Sequence, residues 1–282
     1  MQLTRRLFLG SALATAAMPV LSKCKVGCSK AKPGLAVQLY SIRSYIGKNG
    51  FEKTFEELSK IGYKAVEFAG YRNKTPAELK KMLDNAGLIA CGTHCGINCK
   101  EDEVKKLCEF NLGYGNKHMI CPWGGGKTAD DWKRMGENFA KAADIAAQFG
   151  CTIGYHNHQH EFRTKFDMPD GTKKCCWELL FSAAGEKVMT EMDVGWATAA
   201  GEDPEYWFKK FPNRALTIHA KETVGGIAKD LGKSGKAGVD WDKVARLTYA
   251  DITKWWVVEC ERGSDSLDHV KGSYNVLKPY CS

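Results

Sequence analysis

The sequence predicts an α/β fold: a single (β/α)8 barrel. Three observations predict it. From Gly34 onward, short apolar runs alternate eight times with segments of helical period. No break in composition interrupts the alternation, so the units belong to one parallel sheet closed on itself. The length of 282 residues suits one barrel domain. A doubly wound open sheet is the alternative. No G-x-G-x-x-G follows an early strand, which weakens a dinucleotide site.

In chain order, residues 34–43 read as an apolar strand, and Phe51, Phe55, Leu58 and Ile61 recur at helical spacing. Residues 63–68 form a second strand. Thr75-Pro76 with Glu78 opens a helix that Gly87 stops. Residues 88–97 give a third strand, 101–110 a charged helix and 118–121 a fourth strand. The clearest helix spans 128–149, and its Thr128-x-x-Asp131 start resembles a capping box with Asp in place of Glu. A fifth strand runs into residues 154–162. Helix 177–184, strand 188–193, helix 205–211, strand 215–219, helix 240–247, strand 254–259 and helix 266–277 complete the pattern. Two insertions after strands, 163–174 and 224–238, belong over the barrel mouth as lids or substrate loops. Gly126-Lys127-Thr128 looks like a P-loop ending, but Cys121 stands where its first glycine belongs.

Hydrophobic residues at 44% and charged residues at 26% fit a soluble globular chain. The net charge of +8 comes from scattered lysines rather than a basic arm, so a nucleic-acid partner is not expected. Residues 1–33 read as a cleavable segment ahead of a barrel at 34–282. Arg5-Arg6, then Leu7-Phe8-Leu9 and a short alanine-rich run, match a twin-arginine export signal. The run is too short and too weakly apolar for a transmembrane segment. Export to the periplasm is therefore expected. Lys23 before Cys24 departs from a lipoprotein box, which disfavours a lipid anchor. The 12 cysteines make no small-domain disulfide framework. Cys91, Cys95 and Cys99 read as buried small hydrophobes rather than a zinc cluster. A homo-oligomer is compatible with the sequence.

The chain's most chemical stretch is Gly154-Tyr155-His156-Asn157-His158-Gln159-His160-Glu161-Phe162, with three of the seven histidines. Alternation along a strand puts His156 and His158 on one face. Other strand ends add Glu67, His94, Trp123, the pair Glu191 and Asp193, the pair His219 and Lys221, and Glu259 and Glu261 followed by Arg262. A single strand-end acid is as readily explained by a lysine partner or a helix cap. Carboxylates and imidazoles on four adjacent strands together fit a divalent metal, Mn²⁺, Mg²⁺, Co²⁺ or Zn²⁺, in a site open to substrate oxygens.

The sequence resembles the sugar phosphate isomerase/epimerase superfamily, the xylose isomerase-like barrels that include ketose 3-epimerases, inosose dehydratase and endonuclease IV. The resemblance rests on Val37–Arg43, Tyr155-His-Asn-His158 with His160-Glu-Phe162, Met192-Asp-Val-Gly-Trp-Ala197, His219-Ala-Lys221, Gly238-Val-Asp-Trp241 and Val257-Val-Glu259. It implies a divalent metal held by Asp193, His219 and Glu259. The family's strand-five ligand is a Glu in a Glu-Asn-His pattern; here His156-Asn157-His158 stands in that place. His156 is the first choice for the fourth ligand and Glu161 the second. The resemblance implies an isomerase or epimerase acting on a sugar or keto-sugar through an enediolate. Glu161, His158 and Glu67 are candidate bases, and Lys221 a stabiliser of the oxyanion. Gln38, His94, Trp123 and Arg262 are candidates for binding substrate, with Trp123 stacking on a sugar ring. A lyase or dehydratase acting on a keto-glycoside or keto-polyol is the alternative, because it shares the enediolate. A carbohydrate-binding barrel that has lost catalysis is the non-enzyme alternative. An endonuclease-type site needs more ligands than the sequence offers.

Overall fold

The computed structural model describes residues 31–224, 227–229, 231, 238–260 and 266–282. The expected export segment lies outside these residues except for its last three, as do Glu261 and Arg262. No helix among the described residues is long and apolar enough to cross a membrane.

The strands are β1 (Gly34–Gln38), β2 (Ala65–Phe68), β3 (Ile89–His94), β4 (His118–Cys121), β5 (Thr152–His156), β6 (Lys165–Asp167), β7 (Lys173–Cys175), β8 (Met189–Asp193), β9 (Ala215–Ala220), β10 (Glu222–Val224), β11 (Ile227–Lys229) and β12 (Trp255–Val258). Eight of them close a barrel in the order β1-β12-β9-β8-β5-β4-β3-β2. Every strand pairing around it is parallel, and β1 joins both β12 and β2. Barrel strands are buried on both faces, as in β2 and β9. This is why they read as continuous apolar runs rather than alternating ones. The expected insertions contribute two antiparallel hairpins, β6–β7 and β10–β11.

The helices are α1 (Arg43–Ile61), α2 (Pro76–Ala86), α3 (Glu101–Leu112), α4 (Ala129–Ala147), α5 (His160–Arg163), α6 (Cys176–Ala183), α7 (Val194–Ala199), α8 (Pro204–Lys210), α9 (Trp241–Ala250) and α10 (Leu267–Leu277). Capping boxes at Thr75/Glu78 and Thr128/Asp131 start α2 and α4 as the sequence indicates. Fully buried Trp132, Trp177, Phe162 and Phe181 belong to the main apolar core, with Trp177 and Phe181 ring centroids 4.3 Å apart.

Three local features differ from the expectation. The first strand stops at Gln38 rather than running to 43, because the Gln38 side chain accepts the Tyr40 N–H and turns the chain into a 3-10 segment, Leu39–Ile42. Helix α1 begins at Arg43, two short helices merging across Gly50 at φ 77°. The stretch after β5 turns into α5, and that after β8 into α7, so both strands end at a site residue.

Candidate active site

Each candidate ligand stands at the C-terminal rim of a barrel strand. His156 ends β5, Asp193 ends β8, His219 is the fifth residue of β9 and Glu259 follows β12. The register places Asp193 beside His219 and His156 beside Glu191. Donor atoms of His156, Asp193, His219 and Glu259 all lie within 4.8 Å of one another. His156 Nε2 is 3.6 Å from Asp193 Oδ2 and 3.9 Å from Glu259 Oε2. His219 Nδ1 is 3.0 Å from Glu259 Oε2. All four side chains are buried.

His156 decides whether this group fits a cation. It is 1% exposed, and neither ring nitrogen has a hydrogen-bond partner among the described residues. Leaving a buried polar group unpaired costs about 1–3 kcal/mol, so such an atom needs an explanation. Burial, then the His219 and His94 charges, hold its pKa well below the ordinary imidazole value. A neutral imidazole facing two carboxylate oxygens is the donor set of a divalent site. The four residues therefore fit a metal ion.

The second-rank contacts hold these groups in place. Asp193 Oδ1 accepts the Trp196 N–H at 2.8 Å and caps α7, leaving Oδ2 to face the site. Asn157 clamps the same main chain, its Oδ1 accepting Asp193 N–H at 3.0 Å and its Nδ2 donating to Asp193 O at 3.2 Å. Lys221 Nζ lies 3.1 Å from Asp193 Oδ2 and 2.7 Å from Glu259 Oε2, with the Trp196 ring beneath it at 4.8 Å. Burial alone would raise Glu259, yet Lys221 and His219 hold it well below the carboxylate range.

A second layer lies deeper in the barrel. Gln38 Nε2 donates to Glu67 Oε1 at 2.6 Å, and His219 Nε2 approaches the same oxygen at 2.8 Å. His94 Nε2 is 2.7 Å from Glu191 Oε2, while Thr217 donates to Glu191 Oε1 at 2.5 Å. Burial and the Glu191 charge push Glu67 up to about 7. Burial would raise Glu191 as well, but His219 and His94 hold it well below its ordinary value. His219 thus turns Nδ1 to the rim and Nε2 to Glu67 and Glu191. Such outer carboxylates fix the tautomer and orientation of a ligating imidazole.

A cavity of about 440 Å³ opens above the rim, with Tyr40, His94, Trp123, His156, His158 and Glu259 in its wall. His158 Nδ1 has no hydrogen-bond partner among the described residues, and its main-chain N–H donates to Glu161 Oε2 at 2.8 Å. Burial and the His156 charge lower His158 to about 3. Glu161 is fully buried, accepts Tyr155 OH at 2.7 Å and is pushed by burial up to about 8.

The structure therefore brings His156, Asp193, His219 and Glu259 together. It groups Glu161 with His158 and His160 instead. Trp123, His94 and His158 border the cavity; Glu67 and Gln38 lie below it; Lys221 sits between the rim carboxylates. Arg262 lies outside the described residues. Sequence reasoning assigned no role to Tyr40, although an aromatic just past a strand end is a signal for a mouth residue. It also assigned none to Asn157, inside the histidine stretch.

Residues 55–280 match the xylose isomerase-like TIM barrel family. The chain belongs to that family. Similarity to individual members is low. An inosose dehydratase of Lacticaseibacillus casei is 25% identical over 61% of this chain and 63% of its own length. A sugar phosphate isomerase/epimerase structure from Parabacteroides distasonis superposes with a TM-score of 0.74 at 24% identity, covering 93% of this chain and 98% of the other. The zinc-bound IolI protein gives a TM-score of 0.63 at 15% identity, covering 88% and 99%.

Proposed function

We propose that this family member is a divalent-metal-dependent isomerase or epimerase acting on a sugar or keto-sugar. The observation that carries the reading is the buried, unpartnered His156 facing Asp193 and Glu259, with His219 completing the set. A cation held there would supply Lewis acidity to neighbouring carbonyl and hydroxyl oxygens. The protein's own groups do the rest. Trp123 and Tyr40 border the substrate and help exclude water. His158 takes the proton from the carbon beside the carbonyl: it lines the cavity and is neutral. Glu161 positions it through the His158 main-chain N–H. The Lys221 ammonium offsets the rim carboxylates and the negative charge of the enediolate. Return of the proton to the opposite face gives epimerisation, and to the adjacent carbon isomerisation.

A second reading, a lyase that expels a β-substituent from the same enediolate, is favoured by His156 standing where the family's strand-five Glu belongs. The similarity to an inosose dehydratase supports it. Arg5-Arg6 and the run after them support an exported protein and hence an extracytoplasmic substrate.

The test uses the protein loaded in turn with Mn²⁺, Mg²⁺, Co²⁺ and Zn²⁺, in D₂O, against a panel of keto-sugars and keto-polyols. The reading predicts metal-dependent deuterium entry at one α-carbon, reduced about 100-fold or more in His158→Ala. Exchange at no α-carbon across the panel sinks it.

A further inference from the structure

The candidate active site has a second chamber. A cavity of about 650 Å³ adjoins the inner one, and Trp123 lines both. Both volumes fall in the range of small-molecule sites, roughly 300–1,000 Å³. Between them stands the loop after β4, with Cys121 on the outer side and Pro122 on the inner side.

Trp123 is 61% exposed, yet it is held. The Cys121 thiol donates to Trp123 O at 3.2 Å, and His160 Nε2 is 3.1 Å from Gly124 O. The ring rests against His160 and His158, at centroid distances of 4.3 and 5.0 Å. Gly124 has no room for a side chain: a Cβ there would lie 2.7 Å from Tyr155 OH and 2.9 Å from Met135 Sδ. The chain therefore fixes a large aromatic ring in solvent at the boundary of two cavities. A fixed, exposed tryptophan is a binding platform more readily than an accident of packing.

The outer chamber is amphipathic. Met135 and Phe139 give it an apolar side, while Lys127, Arg134 and Asn138 supply donors. Arg134 is ion-paired with Asp131, and Asp131 also caps α4. The anion set among these cations favours a neutral polyhydroxylated guest over a phosphate. A pyranose has the matching character, with a C–H face for the aromatic and hydroxyls for the donors.

We propose that the substrate is a glycoside. Its carbonyl-bearing ring occupies the inner cavity, and a glycosidically linked second ring occupies the outer chamber beyond Trp123. This rests on the proposed reaction and adds to it the place of the second ring, in the outer chamber beyond Trp123.

The test compares a keto-hexose with the same keto-hexose linked to a second hexose, reading kcat/KM for deuterium exchange by the metal-loaded protein. The proposal expects the disaccharide to be favoured about tenfold or more, the worth of one or two added hydrogen bonds. Asn138→Trp, which fills the outer chamber, should bring the ratio near one, and Lys127→Ala, which removes one donor from its wall, should lower it in the same direction. Equal constants in the wild type, a ratio that survives both variants, or preference for a phosphorylated keto-hexose would overturn the glycoside. Should neither sugar exchange, the proposed reaction fails separately. Calorimetric titration with an unoxidised disaccharide and its monosaccharide then decides: tighter disaccharide binding that Asn138→Trp abolishes supports the chamber, and equal binding refutes it.

Discussion

At the scale of the residue, the site turns on His156 and on the protonation of its neighbours. A buried imidazole with two idle nitrogens is a poor use of a core position unless something binds it. Its neighbour in sequence, Glu161, shows the opposite economy, with one oxygen on Tyr155 and the other on the His158 main chain. Burial raises that carboxyl from 4.5 to about 8. In the folded protein it keeps its proton where the unfolded chain has lost it. Its contribution to stability is therefore fully present below pH 4.5 and drains away as the pH rises through about 8. Unfolding free energies from urea titrations with chelator between these limits should fall with pH by up to about 1.4 kcal/mol per unit from this group. Glu161→Gln should remove that component of the slope; parallel pH profiles for the two proteins would contradict the assignment. Asp193, His219 and Glu259 were legible in the sequence as polar residues at strand ends, and the family resemblance singled them out as a ligand set. Asn157 and the pairing of Glu191 with His94 were not, because those roles depend on partners distant in the chain, 36 and 97 residues away.

At the scale of the element, strands and capped helices were easy to read, while short turns were not. Thr75/Glu78 and Thr128/Asp131 announce α2 and α4 through local chemistry. The short helices α5 and α7 carry too few residues to show a period, and what starts α7 is Asp193, a site residue doubling as its cap. The same tightness appears between β2 and β3. A Cβ on Gly92 would lie 2.6 Å from Glu67 Oε2 and 3.0 Å from Ile120 Cδ1. Glu67 cannot swing aside freely, since Gln38 and His219 hold its other oxygen. Gly92→Ala should therefore destabilise the protein by about 1–3 kcal/mol. Shortening the carboxylate in Gly92→Ala/Glu67→Asp should make the pair of changes cost less than the sum of the single ones. Chemical denaturation of the four proteins measures this, and strict additivity would show that the two side chains do not meet.

At the scale of the whole molecule, the barrel makes the site by closure. The ligands come from β5, β8 and β9 and from the residue after β12, which are neighbours in the sheet order though they span residues 156–259. Eight alternations in the sequence carried that topology; the two-chambered mouth they did not, because it is built by loops whose packing follows no period. Beneath the rim lies a competing group, Glu67, His94, Glu191 and His219, whose donor atoms are equally close. His94 Nε2, His219 Nε2 and every oxygen of its two carboxylates except Glu67 Oε2 are already engaged with one another or with Gln38 and Thr217. The rim group, with His156 idle, is the one that wants a cation. The most direct test is a crystal structure of the full barrel grown with Zn²⁺ or Mn²⁺. One ion is expected at the rim, about 2.0–2.2 Å from a nitrogen of His156, a nitrogen of His219 and carboxylate oxygens of Asp193 and Glu259. An ion held by Glu161, or among Glu67, His94 and Glu191, or no ion at saturating metal, would contradict it.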